Sequence, residues 1–347
     1  MEYNQKNYTT SKINADIEKN LYNFDYYLQR EEGQWNRKAK SLFIDSILRG
    51  YIILPIVCDK RDTKTKIASV IEGKQRLTTL RDFLGDRFRT VKELKPLNID
   101  VIVEDENGNK HIETKTYDIA DKKFRNFDKE LVDILMNYQF TFYHITEATD
   151  DEIRDSFIRL NAGKPLTKTQ LRKTLMSKEL ISEIKDIVKL PFLEKKLITQ
   201  IQHKAANDID AVAKALLLIS ADNKTYEIKT FNQTDIENFT NWYNENIDID
   251  ITSQLKDAIN SLDEYIDDKI TIKVTSIPFV LYASYKAIEL EKDMKIFSDA
   301  IKDFIDTYND NKDYSDIIKN GTSSHSSIIK RKEYWDNLLE SIPQSSK

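Results

Sequence analysis

The stretch Ile67-Ala68-Ser69-Val70-Ile71-Glu72-Gly73-Lys74-Gln75-Arg76-Leu77-Thr78-Thr79-Leu80 carries the most information about the fold of this chain. Its first five residues are mostly apolar or β-branched, which predicts a short strand. Gly73 then supplies a tight turn, and residues 75–83 have the pattern of a helix that ends near Gly85. A strand, a glycine turn and a helix start therefore follow one another directly.

This arrangement predicts a phosphate site. The N–H groups at a helix N-terminus face an anion placed there, and the helix dipole favours it. Gly73 lets a phosphate approach the backbone, Lys74 adds a cation, and Arg76 can grip a phosphate with two parallel bonds. Glu72 is then placed to hold Mg²⁺ or orient a water. The competing interpretation is an ordinary surface strand–turn–helix, because such turns are common.

The sequence around this stretch indicates a mixed α/β domain followed by helices. Six of the seven glycines lie within the first 163 residues, which favours tight connections there and long helices afterwards. Asn107-Gly108 is a strong hairpin turn signal. The elements predicted in the first half are a helix at 38–49, strands at 51–58 and 67–71, a helix at 75–83, a hairpin of 99–104 with 111–117, and a strand at 140–145.

Two further helices have readable start signals, and the second half is periodic. Thr149 with Glu152, and Thr167 with Gln170, have the spacing of capping boxes. From about residue 179 apolar residues recur every three or four positions, which is typical of helices. The fold class predicted is α+β, with a mixed α/β domain at 1–178 and an α-helical domain at 179–347.

Composition limits the classes of protein that fit. The 347 residues suffice for about two domains, and 40% hydrophobic with 32% charged residues suits a soluble globular protein. No apolar run approaches a membrane span, the start lacks a secretory signal, and Cys58 is the single cysteine. We therefore expect a cytoplasmic protein. The net charge of −5 means that DNA binding would require a local basic face.

Two other segments are candidate contact sites. Asn161 and Lys164 flank a glycine and either line a phosphate or base pocket or simply end a helix. Lys330 and Arg331 begin a basic helix after a polar loop and are candidates for contact with DNA or a partner, although such a loop is more often only a connection. The four histidines share no metal-ligand spacing, and we interpret His144 as a satisfied core or edge residue.

Four segments in order resemble the GmrSD restriction-endonuclease N-terminal domain family, which has a ParB/sulfiredoxin-like fold. The resemblance covers roughly residues 21–178. The matching residues are Gln29-Arg30 with Trp35, the helix and strand at 42–55, the Glu72 to Leu80 motif, and residues 157–172. Each segment is weak alone, but the ordered set is specific.

The resemblance implies an NTP site in which Glu72 takes the acidic catalytic position. Gln75 and Arg76 take the phosphate contacts, and Arg30 an outer contact. Such domains are known in defence proteins that attack modified phage DNA. The family usually has Asp in place of Glu72 and commonly Gln in place of Lys74. No C-terminal HNH nuclease motif is found in this chain.

The resulting hypothesis is an NTP-binding, NTP-hydrolysing protein of a phage-defence, restriction or mobile-element system. It would use Mg²⁺ held by Glu72, with positioning and charge neutralisation supplying most of the effect. The protein would bind the nucleotide as its ligand. It would act with DNA, with a partner nuclease or with another defence protein. We expect no association with a membrane. The alternatives are a non-enzymatic nucleotide- or DNA-sensing module and a ParB-like DNA nickase.

Overall fold

The computed structural model describes residues 1–28, 33–104, 109–162, 166–267, 272–308, 310–319 and 321–345. By internal contacts the chain divides into two compact units, residues 1–164 and 165–347. The strands lie in the first unit, and the second is helical throughout its described part apart from one isolated bridge. The predicted α+β class is therefore confirmed. The boundary at 178/179 and the ParB/sulfiredoxin-like fold stay predictions.

The first unit is built on a five-stranded sheet with the order β1-β7-β3-β4-β2. β7 pairs antiparallel with β1 and parallel with β3, and β4 pairs antiparallel with β3 and parallel with β2. β5 and β6 form a separate hairpin. The elements are β1 Glu2–Thr9, α1 Thr10–Glu18, β2 Tyr22–Asn23, α2 Arg37–Leu48, β3 Ile56–Asp59, β4 Ala68–Glu72, α3 Lys74–Leu84, β5 Leu97–Glu104, β6 Lys110–Tyr117, a 3₁₀ turn Phe124–Asn126, α4 Lys129–Asn137, β7 Gln139–Glu147 and α5 Asp150–Leu160.

Apolar residues of the sheet and of α1 to α4 form one core in this unit. Phe142 of β7, Leu80 of α3 and Ile44 of α2 are fully buried in it. Burial of side chains of this size contributes about 1.5–3 kcal/mol each relative to exposure. This core holds β3, β4 and the start of α3 in place, so the Glu72–Gly73 corner lies on a rigid part of the unit.

Local signals predicted most of these elements. Asn36 caps α2 by accepting from the Ala39 N–H, and the predicted capping box at Thr149 is present. The strand predicted at 51–58 is shorter than expected, because only Ile56–Asp59 pairs and Ile52 is 96% exposed. The turn residues 105–108 of the hairpin lie outside the described residues.

The second unit consists of packed helices, as the period of its apolar residues predicted. α12 packs against α9, α11 and α15, which makes it the centre of the unit. The predicted capping box at Thr167 begins α6. The helices are α6 Lys168–Thr174, α7 Lys178–Val188, a π-helical turn Phe192–Leu197, α8 Gln200–Lys204, α9 Asn207–Asp222, α10 Gln233–Glu245, α11 Ile249–Tyr265, α12 Ile277–Glu289, α13 Met294–Asp306, α14 Lys312–Ile318 and α15 His325–Ser341. Within the described ranges, none of the helices has the length and apolar character needed to cross a membrane.

His144 of β7 is buried beside Cys58, its register partner on β3, but it is not satisfied as the sequence suggested. Its Nε2 atom is buried and has no hydrogen-bond partner among the described residues. Burial, with further contributions from Lys60 and Lys6, lowers the pKa of His144 from 6.5 to about 4. The imidazole is therefore neutral in the folded protein at neutral pH.

Acidification should weaken the fold through this histidine. Between about pH 6.5 and 4 the unfolded chain binds a proton that the folded chain excludes, so stability falls as the pH drops through this window. We expect His144→Gln, which cannot titrate, to have a smaller loss of urea stability between pH 7.5 and 5 than the wild type. Equal losses in the two proteins would contradict the assignment.

Candidate functional site

The candidate site is the corner where β4 passes into α3. Gly73 has φ +100°, a left-handed conformation that side chains disfavour, and an added Cβ would overlap Ile56 Cδ1. Gly73 occupies the N-cap position, and no side chain among the described residues caps the helix. The carbonyl of Gly73 accepts from the N–H groups of Arg76 and Leu77, 3.0 Å away in each case. The glycine therefore permits both the turn and its close packing on β3.

Glu72 and Arg76 form an ion pair across this corner. The Arg76 Nη2 atom lies 2.9 Å from Glu72 Oε1, and the side chains are 9% and 32% exposed respectively. Arg76 Nη1 also donates to the carbonyls of Leu54 and Pro55. Burial lowers the pKa of Arg76, and the neighbouring Glu72 carboxylate opposes this shift. The guanidinium thus ties the segment before β3 to the end of β4.

The other residues predicted for this site differ in their burial and in their contacts, and two of them lie outside the described residues. Lys74 is 6% exposed at the first position of α3, and its carbonyl accepts from Thr78 Oγ1 at 2.9 Å. Gln75 is half-buried beside it. Asn161 follows α5, where its Nδ2 donates to the Phe157 carbonyl at 2.8 Å. Arg30 and Lys164 lie outside the described residues.

A polar network that the sequence did not predict lies at the other end of β4. Asp59, which pairs with Ser69, accepts from Tyr26 at 2.9 Å and from Arg61 at 3.0 Å and 2.9 Å. Arg61 Nη2 also reaches Asp150 at 2.7 Å, at the start of α5. Burial alone would raise the pKa of Asp59, but the hydrogen bonds from Arg61 and Tyr26 outweigh it and lower the pKa. This network fixes β3, the Tyr26 segment and α5 to one another.

The described residues contain no group of three or more His, Cys, Asp or Glu side chains able to hold a metal ion. Glu72 is the carboxylate that the structure places at the corner. Mg²⁺ is often bound by one or two carboxylates together with substrate phosphates and water. Glu72 would hold Mg²⁺ in this way, together with phosphate oxygens and water.

The basic run Lys330-Arg331-Lys332 lies within α15, which begins earlier than the sequence indicated, at His325. Arg331 is fully buried, and its guanidinium donates to the carbonyls of Ser327, Thr275 and Thr322. It also lies 4.1 Å from the centre of the Phe279 ring. The side chain of Arg331 is inside the unit and is not exposed for the predicted contact with DNA or a partner, which stays a prediction. Lys330, next to it, is exposed.

A cavity of about 680 Å³ opens in the second unit between the end of α9 and α15. Its lining includes Asp222, Lys332 and Asp336. Lys332 Nζ lies 2.7 Å from Asp222 and 2.8 Å from Asp336, so these charges are paired with one another.

Residues 11–177 match the family model of the GmrSD restriction endonuclease, N-terminal domain. No curated protein and no solved structure matches the chain. This match covers somewhat less than half of the chain, and it confirms the resemblance drawn from the sequence. This domain relates the protein to restriction systems of phage defence.

Proposed function

We propose that the first unit binds a nucleoside triphosphate at the Glu72–Gly73 corner and hydrolyses it with Mg²⁺. The observation that carries the proposal is the direct succession of a carboxylate, a left-handed glycine and the N-terminus of α3 on the end of a buried strand. Helix N-termini attract phosphates through their N–H groups and dipole. The match to a restriction-endonuclease domain supports a role in a defence system.

Glu72 is the group best placed to act on the reacting phosphate. Its carboxylate is partly exposed and held by Arg76, so it has a defined orientation at the mouth of the corner. There it would bind Mg²⁺ or orient the attacking water. Arg76 is committed to Glu72 and to the carbonyls before β3, and we therefore assign it a positioning role in place of the phosphate grip expected from the sequence.

Topology supports a contribution from Asn161, which directly follows α5. β7 runs parallel to β3 and leads into α5, and α5 packs on β4. A helix that follows a strand and packs back on its sheet returns toward the level where that strand began. Phe142, the fourth residue of β7, pairs with Ile56, which packs against Gly73. Asn161 would then lie near the nucleotide, as expected from the sequence; Lys164 lies outside the described residues.

A non-enzymatic nucleotide sensor is the second candidate, and the Glu72–Arg76 ion pair favours it. A carboxylate held by a buried guanidinium is less available to a metal than a carboxylate without such a partner. In a sensor the same corner would bind the nucleotide without hydrolysing it. Both functions would act with DNA or a partner nuclease, which the restriction family suggests.

Glu72→Gln separates these functions. We expect it to retain nucleotide binding and to lower phosphate release at least about 100-fold, because it removes the group that activates water. Phosphate release from four NTPs with Mg²⁺, with and without DNA, measures the rate, and titration calorimetry measures binding. Wild-type rates in Glu72→Gln would contradict the catalytic role.

Asp45→Asn is the matched control. Asp45 forms an ion pair with Arg49 at 2.8 Å with the same spacing along a helix of the same unit. Its loss should leave hydrolysis unchanged. Nucleotide binding by the wild type without phosphate release under any condition would favour the sensor. Nicking of plasmid DNA that disappears in Glu72→Gln would favour the nickase.

A further inference from the structure

The β5–β6 hairpin stands apart from the main sheet. Its two strands pair over eight residues, from Leu97↔Tyr117 to Glu104↔Lys110. Leu97 and Tyr117 anchor its base in the core of the first unit. Beyond this base the residues of β6 are exposed, and Ile102 and Ile112 form an opposed pair that is 74% and 73% exposed. A two-stranded sheet of this kind is marginal in water without further packing.

β6 has one edge that no strand covers. β5 pairs along one side of β6, and in the described part of the chain the hairpin has no third strand. An uncovered edge offers a row of backbone N–H and C=O groups to another strand. β6 and the residue that follows it have the sequence Lys110-His111-Ile112-Glu113-Thr114-Lys115-Thr116-Tyr117-Asp118, and this sequence determines which strand fits.

We propose that β6 pairs antiparallel with β6 of a second copy of this chain, about a twofold axis at Thr114. This register places Glu113 opposite Lys115 of the second copy and Lys110 opposite Asp118 of the second copy. The symmetry repeats each pair, so four pairs of opposite charge cross the contact. Opposed residues of an antiparallel pair lie on the same face, and each of these pairs satisfies that condition. The two hairpins then form one four-stranded sheet.

The two neighbouring registers are unfavourable because each places like charges opposite each other. Moving the axis by one residue puts Glu113 opposite its own copy, and moving it the other way puts Lys115 opposite its own copy. Like charges directly opposite each other destabilise a sheet. The charges along β6 therefore favour this register over both neighbouring ones, as expected of a strand that pairs with itself. This inference does not depend on the nucleotide site.

Charge reversals on the full chain test the contact. The wild type should form a concentration-dependent dimer in sedimentation velocity experiments. Lys115→Glu and Glu113→Lys each turn two attractive pairs into repulsive ones and should each weaken the dimer on the order of tenfold. Lys129→Glu, an exposed reversal at the start of α4, should leave it unchanged.

A mixture of the two variants gives the decisive result. Glu113→Lys supplies two lysines at the contact and Lys115→Glu supplies two glutamates, so the mixture should form a heterodimer although each variant alone is mainly monomeric. This recovery also shows that both variants are folded. A wild type that stays monomeric at every concentration, reversals without effect, or a mixture that stays monomeric would each overturn the proposal. Loss of DNA or partner binding in Lys115→Glu with the dimer unchanged would likewise assign the edge to another occupant.

Discussion

Gly73→Ala is expected to destabilise the first unit by about 2–4 kcal/mol and to abolish nucleotide binding. A side chain at φ +100° costs about 1 kcal/mol or slightly more. Overlap of the new Cβ with Ile56 Cδ1 adds about 1–3 kcal/mol, because both lie in a packed core. Urea unfolding of the full chain, followed by hydrogen exchange at β4, measures the loss.

The steric part of this effect can be isolated with Ile56→Val, which removes the Cδ1 atom that the new Cβ would overlap. Ile56→Val alone should cost about 0.5–1.5 kcal/mol. The double variant Gly73→Ala/Ile56→Val should be clearly more stable than the sum of the two losses predicts, since the clash has gone. Strictly additive losses would show that Ile56 does not restrict the glycine.

Gly50→Ala is the matched control for the contribution of backbone conformation to the loss of stability. Gly50 also has a positive φ of +69°, but nothing lies within 4 Å of the position of its Cβ. We expect only the conformational cost, about 1 kcal/mol, with nucleotide binding intact. A loss as large as that of Gly73→Ala would mean that packing at Ile56 contributes little.

Arg331→Ala should destabilise the second unit by about 3–5 kcal/mol. The substitution leaves a cavity at a fully buried position and removes the contact with the Phe279 ring. It also leaves the carbonyls of Thr275 and Thr322 without the guanidinium donor. Calorimetric unfolding of the full chain should show a lower midpoint for the transition of this unit. An unchanged midpoint would contradict a structural role for the guanidinium.

Lys330→Ala provides the comparison, because it removes the adjacent cation of the same basic run from an exposed position. We expect a change within about 0.5 kcal/mol. If DNA or a partner binds this part of α15, Lys330→Ala would weaken that binding at unchanged stability. The two neighbouring variants thus separate a surface contact from a core interaction.

Local chemistry made the corner at Gly73 predictable. The apolar strand, the glycine and the helix that follows are adjacent in the sequence, and the capping boxes at Thr149 and Thr167 depend on residues three positions apart. The contacts of Arg76, by contrast, could not be predicted from local sequence. Its contacts with the carbonyls of Leu54 and Pro55 arise only after β3 and α3 have packed, and no spacing in the sequence encodes them.

Two other differences between the sequence predictions and the structure have separate causes. β1 escaped prediction because its residues are largely polar and exposed on both faces, so it has no alternating pattern. Arg331 was assigned to the surface because it lies between two lysines. A signal against that assignment was present, since Ile328, Arg331, Trp335 and Leu339 recur at helical spacing and all are buried. The position of Arg331 on the buried face of α15 determined its burial more strongly than its charge did.

The pairing of β1 with β7 has a consequence for synthesis of the protein. Glu2 is opposite Glu147, and Thr9 is opposite Gln139, so the sheet joins segments that leave the ribosome far apart in time. Translation proceeds at about 5–20 residues per second, so β7 is synthesised roughly 7–30 s after β1. During that interval the backbone groups of β1 are available to other nascent or misfolded chains. Slow translation before residue 147 should therefore increase aggregation, whereas a pause after β7 has emerged should not.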